Sequence, residues 1–148
     1  VDDVGIPVAP NCAREMTAVF TYNYSSDYHP SMPMVELTIG LPQGEMSITL
    51  PAIVDSGADA TMVPIEYLRQ LGARRSRKAL MRWVTGEGAL VDLYAVAIQL
   101  GSYRQSYVEV VSSADESETI VGRDMLNHLS VTLNGPASVV EVLENTAG

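Results

Sequence analysis

A carboxylate closing an apolar run is the first group in this chain that could do chemistry. Ile53-Val54-Asp55-Ser56-Gly57-Ala58-Asp59 ends a stretch of β-forming residues on an acid, a hydroxyl and a glycine, and a second acid follows. Such a stretch also makes an ordinary turn, because an Asp side chain accepts from nearby backbone amides and Gly tolerates positive φ. The chemical reading is acid–base catalysis. Hydrolysis of a peptide bond needs a water made nucleophilic and a leaving nitrogen that receives a proton. Two carboxylates sharing one proton supply both, since like charges in contact titrate in two separated steps. Only one Asp-Ser/Thr-Gly occurs in the chain. A pair therefore requires Asp55 from two copies, meeting on the axis of a symmetric homodimer.

The second informative stretch is Thr119-Ile120-Val121-Gly122-Arg123-Asp124-Met125-Leu126. It reads as a strand, a close-packing glycine and a helix start. Arg123 can neutralise one of the two acids of the first stretch. Asp59 is the expected partner, because a cation on Asp55 would hold the catalytic proton off. The expected Arg123–Asp59 ion pair is partly buried, and if the site is dry, removing one partner costs about 3–5 kcal/mol. The alternative is a solvated Arg123, which the dipole of a helix N-terminus disfavours.

These residues need a rigid frame. Residues 18–24 are rich in β-formers, and Met34–Gly40 alternates apolar and polar residues as a half-buried strand does. Met46–Val54 reads as one strand, or as two broken at Pro51. Ile65–Leu71 has helical spacing, with Pro64 ahead of it and Gly72 as its stop. Strands are expected at 80–84, 89–100, 107–111, 130–133 and 138–143, and a short helix at 125–129. Short strands with two short helices indicate an all-β barrel or sandwich. Residues 1–17 have no clear period and read as an N-terminal arm before a domain at 18–148.

The chain has 148 residues, enough for one domain with a real core, and 47% of them are hydrophobic. Its net charge of -9 argues against nucleic acid as the main partner. The cations are concentrated in Arg69, Arg74, Arg75, Arg77, Lys78 and Arg82, expected to form a solvated loop, with a steering patch or a processing site as the alternative. No apolar run reaches the roughly 20 residues of a membrane-spanning helix. The start carries no leader-like region and no initiator Met, so an excised or processed chain is expected. A longer, membrane-anchored precursor is left open. One cysteine, Cys12, excludes an internal disulfide, and a reduced cytoplasmic setting is the default. His29 and His128 do not share metal-ligand spacing with Cys12. No Gly-x-Ser-x-Gly elbow or phosphate-binding glycine loop is present, and neither metal nor organic cofactor is expected. Trp83 and the tyrosines read as core or pocket wall, and the methionines as core filler.

Asp55-Ser56-Gly57-Ala58-Asp59, about 65 residues ahead of Ile120-Val121-Gly122-Arg123-Asp124-Met125-Leu126, resembles the retropepsin-like aspartic proteases. Val131-Thr132-Leu133-Asn134 resembles the stretch that follows the helix in that family, so the likeness runs over roughly residues 34–134. The resemblance implies a small closed β-barrel acting as a homodimeric endopeptidase, with an extended peptide bound between the acid pair and two flaps. By position, Asp55 would be the catalytic aspartate, and Ser56 would make the interlocking hydrogen bond across the dimer. Gly57 would offer its carbonyl to the substrate, with Ala58 completing the loop. Asp59 would contact the peptide main chain and pair with Arg123. Val84, Thr85, Gly86, Glu87 and Gly88 would form the flap, a hairpin able to close over a peptide. Activity would peak at acidic to near-neutral pH, where the pair holds one proton. The chain departs from the viral pattern in its arm and in the strand after Gly135-Pro136. In the viral enzymes the termini interleave into a dimer sheet, so residues 138–143 are expected to replace or extend that sheet. The rival reading is a noncatalytic dimerisation or peptide-binding module on the same barrel.

Overall fold

The alternation in Met34–Gly40 decides which way the first barrel strand faces. In the computed structural model, which describes residues 18–82 and 85–144, Val35, Leu37 and Ile39 are at most 2% exposed while Glu36 faces solvent. The elements run β1 (Ala18–Asn23), β2 (Met34–Gly40), β3 (Met46–Val54), β4 (Met62–Pro64), α1 (Ile65–Leu71), β5 (Arg74–Arg82) and β6 (Gly88–Leu100). They continue with β7 (Tyr103–Ser113), β8 (Thr119–Val121), α2 (Arg123–Leu126), β9 (Ser130–Asn134) and β10 (Val139–Glu144). Strands pair in the order β2-β3-β8-β4-β7-β6, and β6 pairs back onto β2, closing a six-stranded barrel. The fold is therefore the expected mostly-β barrel with two short helices. Trp83 and Val84 lie outside the described residues, as do 1–17.

β3 is a single strand through Pro51. That residue pairs with Glu36 of β2, and β8 joins β3 only from Ala52 onward. The missing proline N–H therefore interrupts no bond to β8. β8 and β3 run parallel, Ala52 with Thr119 through Val54 with Val121. This seam brings the end of β3 beside the start of α2. β4, with three residues, is too short to show a period, and it wedges between β8 and β7.

The cationic stretch is not a loop. Arg69 lies in α1, and the other five cations lie on β5, an edge strand among the described residues that pairs with β6 from Arg74 opposite Ala95 to Arg82 opposite Gly88. The charges fit there because an exposed edge with lysine and arginine resists pairing with foreign strands. The cations also find acids across the sheet: Lys78 on Asp92 at 2.8 Å, Arg75 on the same carboxylate at 3.6 Å, and Arg77 on Glu109 at 3.1 Å. The hydrogen bond from Lys78 holds the Asp92 carboxyl below its usual range, and that from Arg77 does the same for Glu109. A carboxylate with a depressed folded-state value stabilises the hairpin at neutral pH and loses that contribution as pH falls through the depressed value. Hydrogen exchange should therefore show full β5 protection from pH 5 to 8 and a selective loss of it below about pH 4.

β9, β10 and β1 form a second, three-stranded sheet, with β10 in the middle. Residues expected to replace or extend a dimer sheet thus complete a sheet inside one chain. Val140 and Val142 of β10 join the same core as Leu37, Ile98 and Met125. Met125 is fully buried, which contributes about 1.5–3 kcal/mol and anchors a helix too short to stand alone.

Candidate active site

Asp55 sits immediately after β3, at the parallel seam. Its N–H donates to the Val121 carbonyl at 3.1 Å, and its own carbonyl accepts from the Ala58 N–H at 3.2 Å. This turn carries the side chain to the surface, half-buried, with Ser56 and Gly57 exposed beside it. Asp55 Oδ1 accepts from the Gly57 N–H at 2.9 Å. Among the described residues no cation pairs with Asp55. Its carboxylate is half-buried and oriented by its own loop.

The corner between β8 and α2 clamps residues 55–61 from the other side. The Arg123 N–H donates to the Ala58 carbonyl at 2.9 Å. Arg123 Nη1 donates to the Ser56 carbonyl at 2.6 Å, and Nη2 pairs with Asp59 Oδ1. The ion pair joins the two predicted residues, and it is covered on the Arg123 side only: the Asp59 side chain is 90% exposed and that of Arg123 41%. In this chain its electrostatic contribution falls to about 0–1 kcal/mol, well short of the dry-site figure. Arg123 acts mainly by tying down the Ser56 carbonyl.

Two residues that spacing did not single out hold the clamp together. Thr61, fully buried, donates from its N–H to Asp124 Oδ2 at 2.9 Å and from Oγ1 to Asp124 Oδ1 at 2.7 Å. The same Oγ1 accepts from the buried Gly122 N–H at 3.2 Å. Gln105 Nε2 reaches the Asp124 carbonyl at 3.2 Å. In sequence Asp124 looks like a helix N-terminal acid, and nothing local marks Thr61 as its partner across the fold.

Gly122 is required by close approach. A Cβ there would lie 2.7 Å from the Ala60 carbonyl carbon and 2.9 Å from the Ala58 oxygen. These are backbone atoms, so relief means moving the loop. Gly122→Ala should cost about 1–3 kcal/mol, read as a lower urea midpoint with unchanged slope.

The hairpin of β5 and β6 places Thr85, Gly86 and Glu87 at an exposed tip, with Gly86 at φ 91° and Gly88 at the start of β6. Val84, assigned to the flap with them, lies outside the described residues. Leu80 and Leu90 oppose each other on this hairpin and are 53% and 69% exposed. Among the described residues, no hydrogen bond or ion pair ties the tip to the Asp55 loop. The structure thus gathers Asp55, Ser56, Gly57, Ala58, Asp59 and Arg123 into one cluster and leaves the hairpin tip free of it.

The family model described as retroviral aspartyl protease matches residues 29–134, more than half of the chain. No curated protein sequence matches it. Among solved structures, the chain is similar to a retropepsin-like aspartic protease from Rickettsia conorii, with a TM-score of 0.58 and 10% identity over 86% of this chain and 92% of that one. It is also similar to the EIAV protease complexed with the inhibitor HBY-793, at TM-score 0.50 and 22% identity, covering 72% and 92%. An aspartic proteinase from Irpex lacteus gives TM-score 0.54 and 12% identity, covering 87% of this chain but 47% of the fungal one. At these identities the likeness is one of fold.

Proposed function

The chain belongs to the retroviral aspartyl protease family, and on that basis we propose that it is an aspartic endopeptidase active as a symmetric homodimer. The observation that carries the reading is the state of Asp55: half-buried, held by the Gly57 amide, and free of any cation among the described residues. One such carboxylate is half of an acid–base pair, and the same group from a second copy is the other half. The fungal proteinase fold supports this count, since one copy of the present chain covers 47% of it.

In the dimer, the ionised Asp55 takes a proton from a water, whose oxygen attacks the scissile carbonyl carbon. The protonated Asp55 of the second copy gives its proton to the carbonyl oxygen. Collapse of the tetrahedral intermediate breaks the C–N bond, and the nitrogen leaves with a proton from the pair. The flap hairpin closes over the peptide, adds main-chain hydrogen bonds and excludes water. β9 has one unpaired edge among the described residues, with Leu133 on it 53% exposed, a surface that a second copy can cover.

The test is incubation of the full chain with a mixed peptide library, with and without pepstatin as a transition-state mimic, alongside sedimentation. Pepstatin-sensitive cleavage by a dimeric species supports the reading. Peptide binding without cleavage favours the noncatalytic module instead.

A further inference from the structure

A cleft of about 570 Å³ lies outside the Asp55 cluster, between β1 and the outer face of β2 and β3. That is within the roughly 300–1,000 Å³ typical of ligand sites. One wall is Thr21, Tyr22 and Asn23 of β1. Among the described residues β1 pairs only with β10, so its second edge has no strand partner there. The opposite wall carries Met34, Glu36 and Pro51. Asp27 and Glu36 are both exposed acids at the cleft, and no lysine or arginine lines it. Burial, and then the nearby Glu36 carboxylate, push the Tyr22 hydroxyl up. Tyr28, Met34 and Pro51 also line an adjoining depression of about 150 Å³, where Glu118 accepts from the Tyr28 hydroxyl. The two depressions make one groove with three carboxylates along it.

The groove leads to the site. Met34 is paired with Ile53, two residues before Asp55, or about 7 Å along an extended chain. A strand edge unpaired among the described residues, exposed acids beside Tyr28, Met34 and Pro51 with no lysine or arginine in the lining, and proximity to Asp55 fit one occupant: an extended peptide with basic side chains. We propose that this groove is an exosite that takes a lysine- or arginine-bearing extended segment of the protein substrate by strand addition to β1. The proposal rests on the peptidase reading for the identity of that peptide as substrate; the binding itself does not.

The test therefore uses the full chain carrying Asp55→Asn, which separates binding from cleavage. Fluorescence anisotropy is measured with a short labelled peptide of alternating lysine and threonine, with its glutamate counterpart, and with a version N-methylated on alternate amides. The lysine peptide should bind, weaken with added salt, and lose at least about tenfold in affinity on Asp27→Lys/Glu36→Lys. Glu36→Gln, a milder change at an exposed position, should lose part of that. The N-methylated peptide, unable to complete the strand, should bind at least about tenfold more weakly. Equal binding of the glutamate peptide, equal binding of the N-methylated peptide, or no effect of either variant with the circular dichroism unchanged would overturn the exosite. Loss of pepstatin-sensitive cleavage in the parent chain would instead count against the peptidase reading, with these binding results intact.

Discussion

Asp55→Asn is expected to abolish peptide cleavage while leaving the fold in place. An amide cannot accept the proton of the attacking water, and general acid–base groups contribute about 10²–10⁴-fold each. In a symmetric pair one substitution removes both members at once, so the loss should exceed about 10³-fold. The structure explains why stability should survive. Asp55 is half-buried and pairs with no cation among the described residues, and its Oδ1 accepts one hydrogen bond, from the Gly57 amide. The carboxamide oxygen of Asn can accept the same bond. Circular dichroism and the urea midpoint should be within about 1 kcal/mol of the parent, with turnover lost. Full activity in this variant would end the proposed mechanism.

Thr61→Val should have the largest effect on stability. The change is nearly isosteric and removes one hydroxyl, but that hydroxyl serves two partners. It donates to Asp124 and accepts from the Gly122 N–H. Valine leaves both short of a partner at a residue that is fully buried. Unsatisfied buried groups cost about 1–3 kcal/mol each, so the loss should be about 2–4 kcal/mol in urea unfolding. Catalysis should fall beyond what the unfolded fraction explains, because the clamp on residues 55–61 loosens and a displacement of about 1 Å at a reacting group costs on the order of 10²-fold. Thr61→Ser keeps the hydroxyl and should recover most of both. A Val variant as stable as the parent would show that the Thr61–Asp124 contacts do not hold the loop.

The elements legible in the sequence were those with a period to read. Met34–Gly40 and Ile65–Leu71 have the expected bounds, since alternation and helical spacing fix them locally. In the basic stretch, charge density suggests solvent and says nothing about backbone pairing. Its β5 conformation comes from β6 and from acids at 92 and 109. The Asp55 loop and the Arg123 corner were visible as motifs, and the ion pair between them follows from charge. Its exposure did not follow, because burial depends on what covers Asp59 in three dimensions. The Thr61–Asp124 bond is illegible for the same reason: it joins the residue ahead of β4 to α2, and only the fold brings them together.

The dependence of catalysis on two Asp55 carboxylates from two chains can be measured by subunit mixing. The parent chain and the Asp55→Asn chain are combined at a fixed total concentration, allowed to exchange subunits, and assayed across the full range of ratios. If each site needs both carboxylates, activity follows the square of the parent fraction, because only parent–parent pairs work. A linear fall, with mixed pairs retaining half the activity, would mean that one Asp55 suffices, and the shared-proton dyad would be wrong.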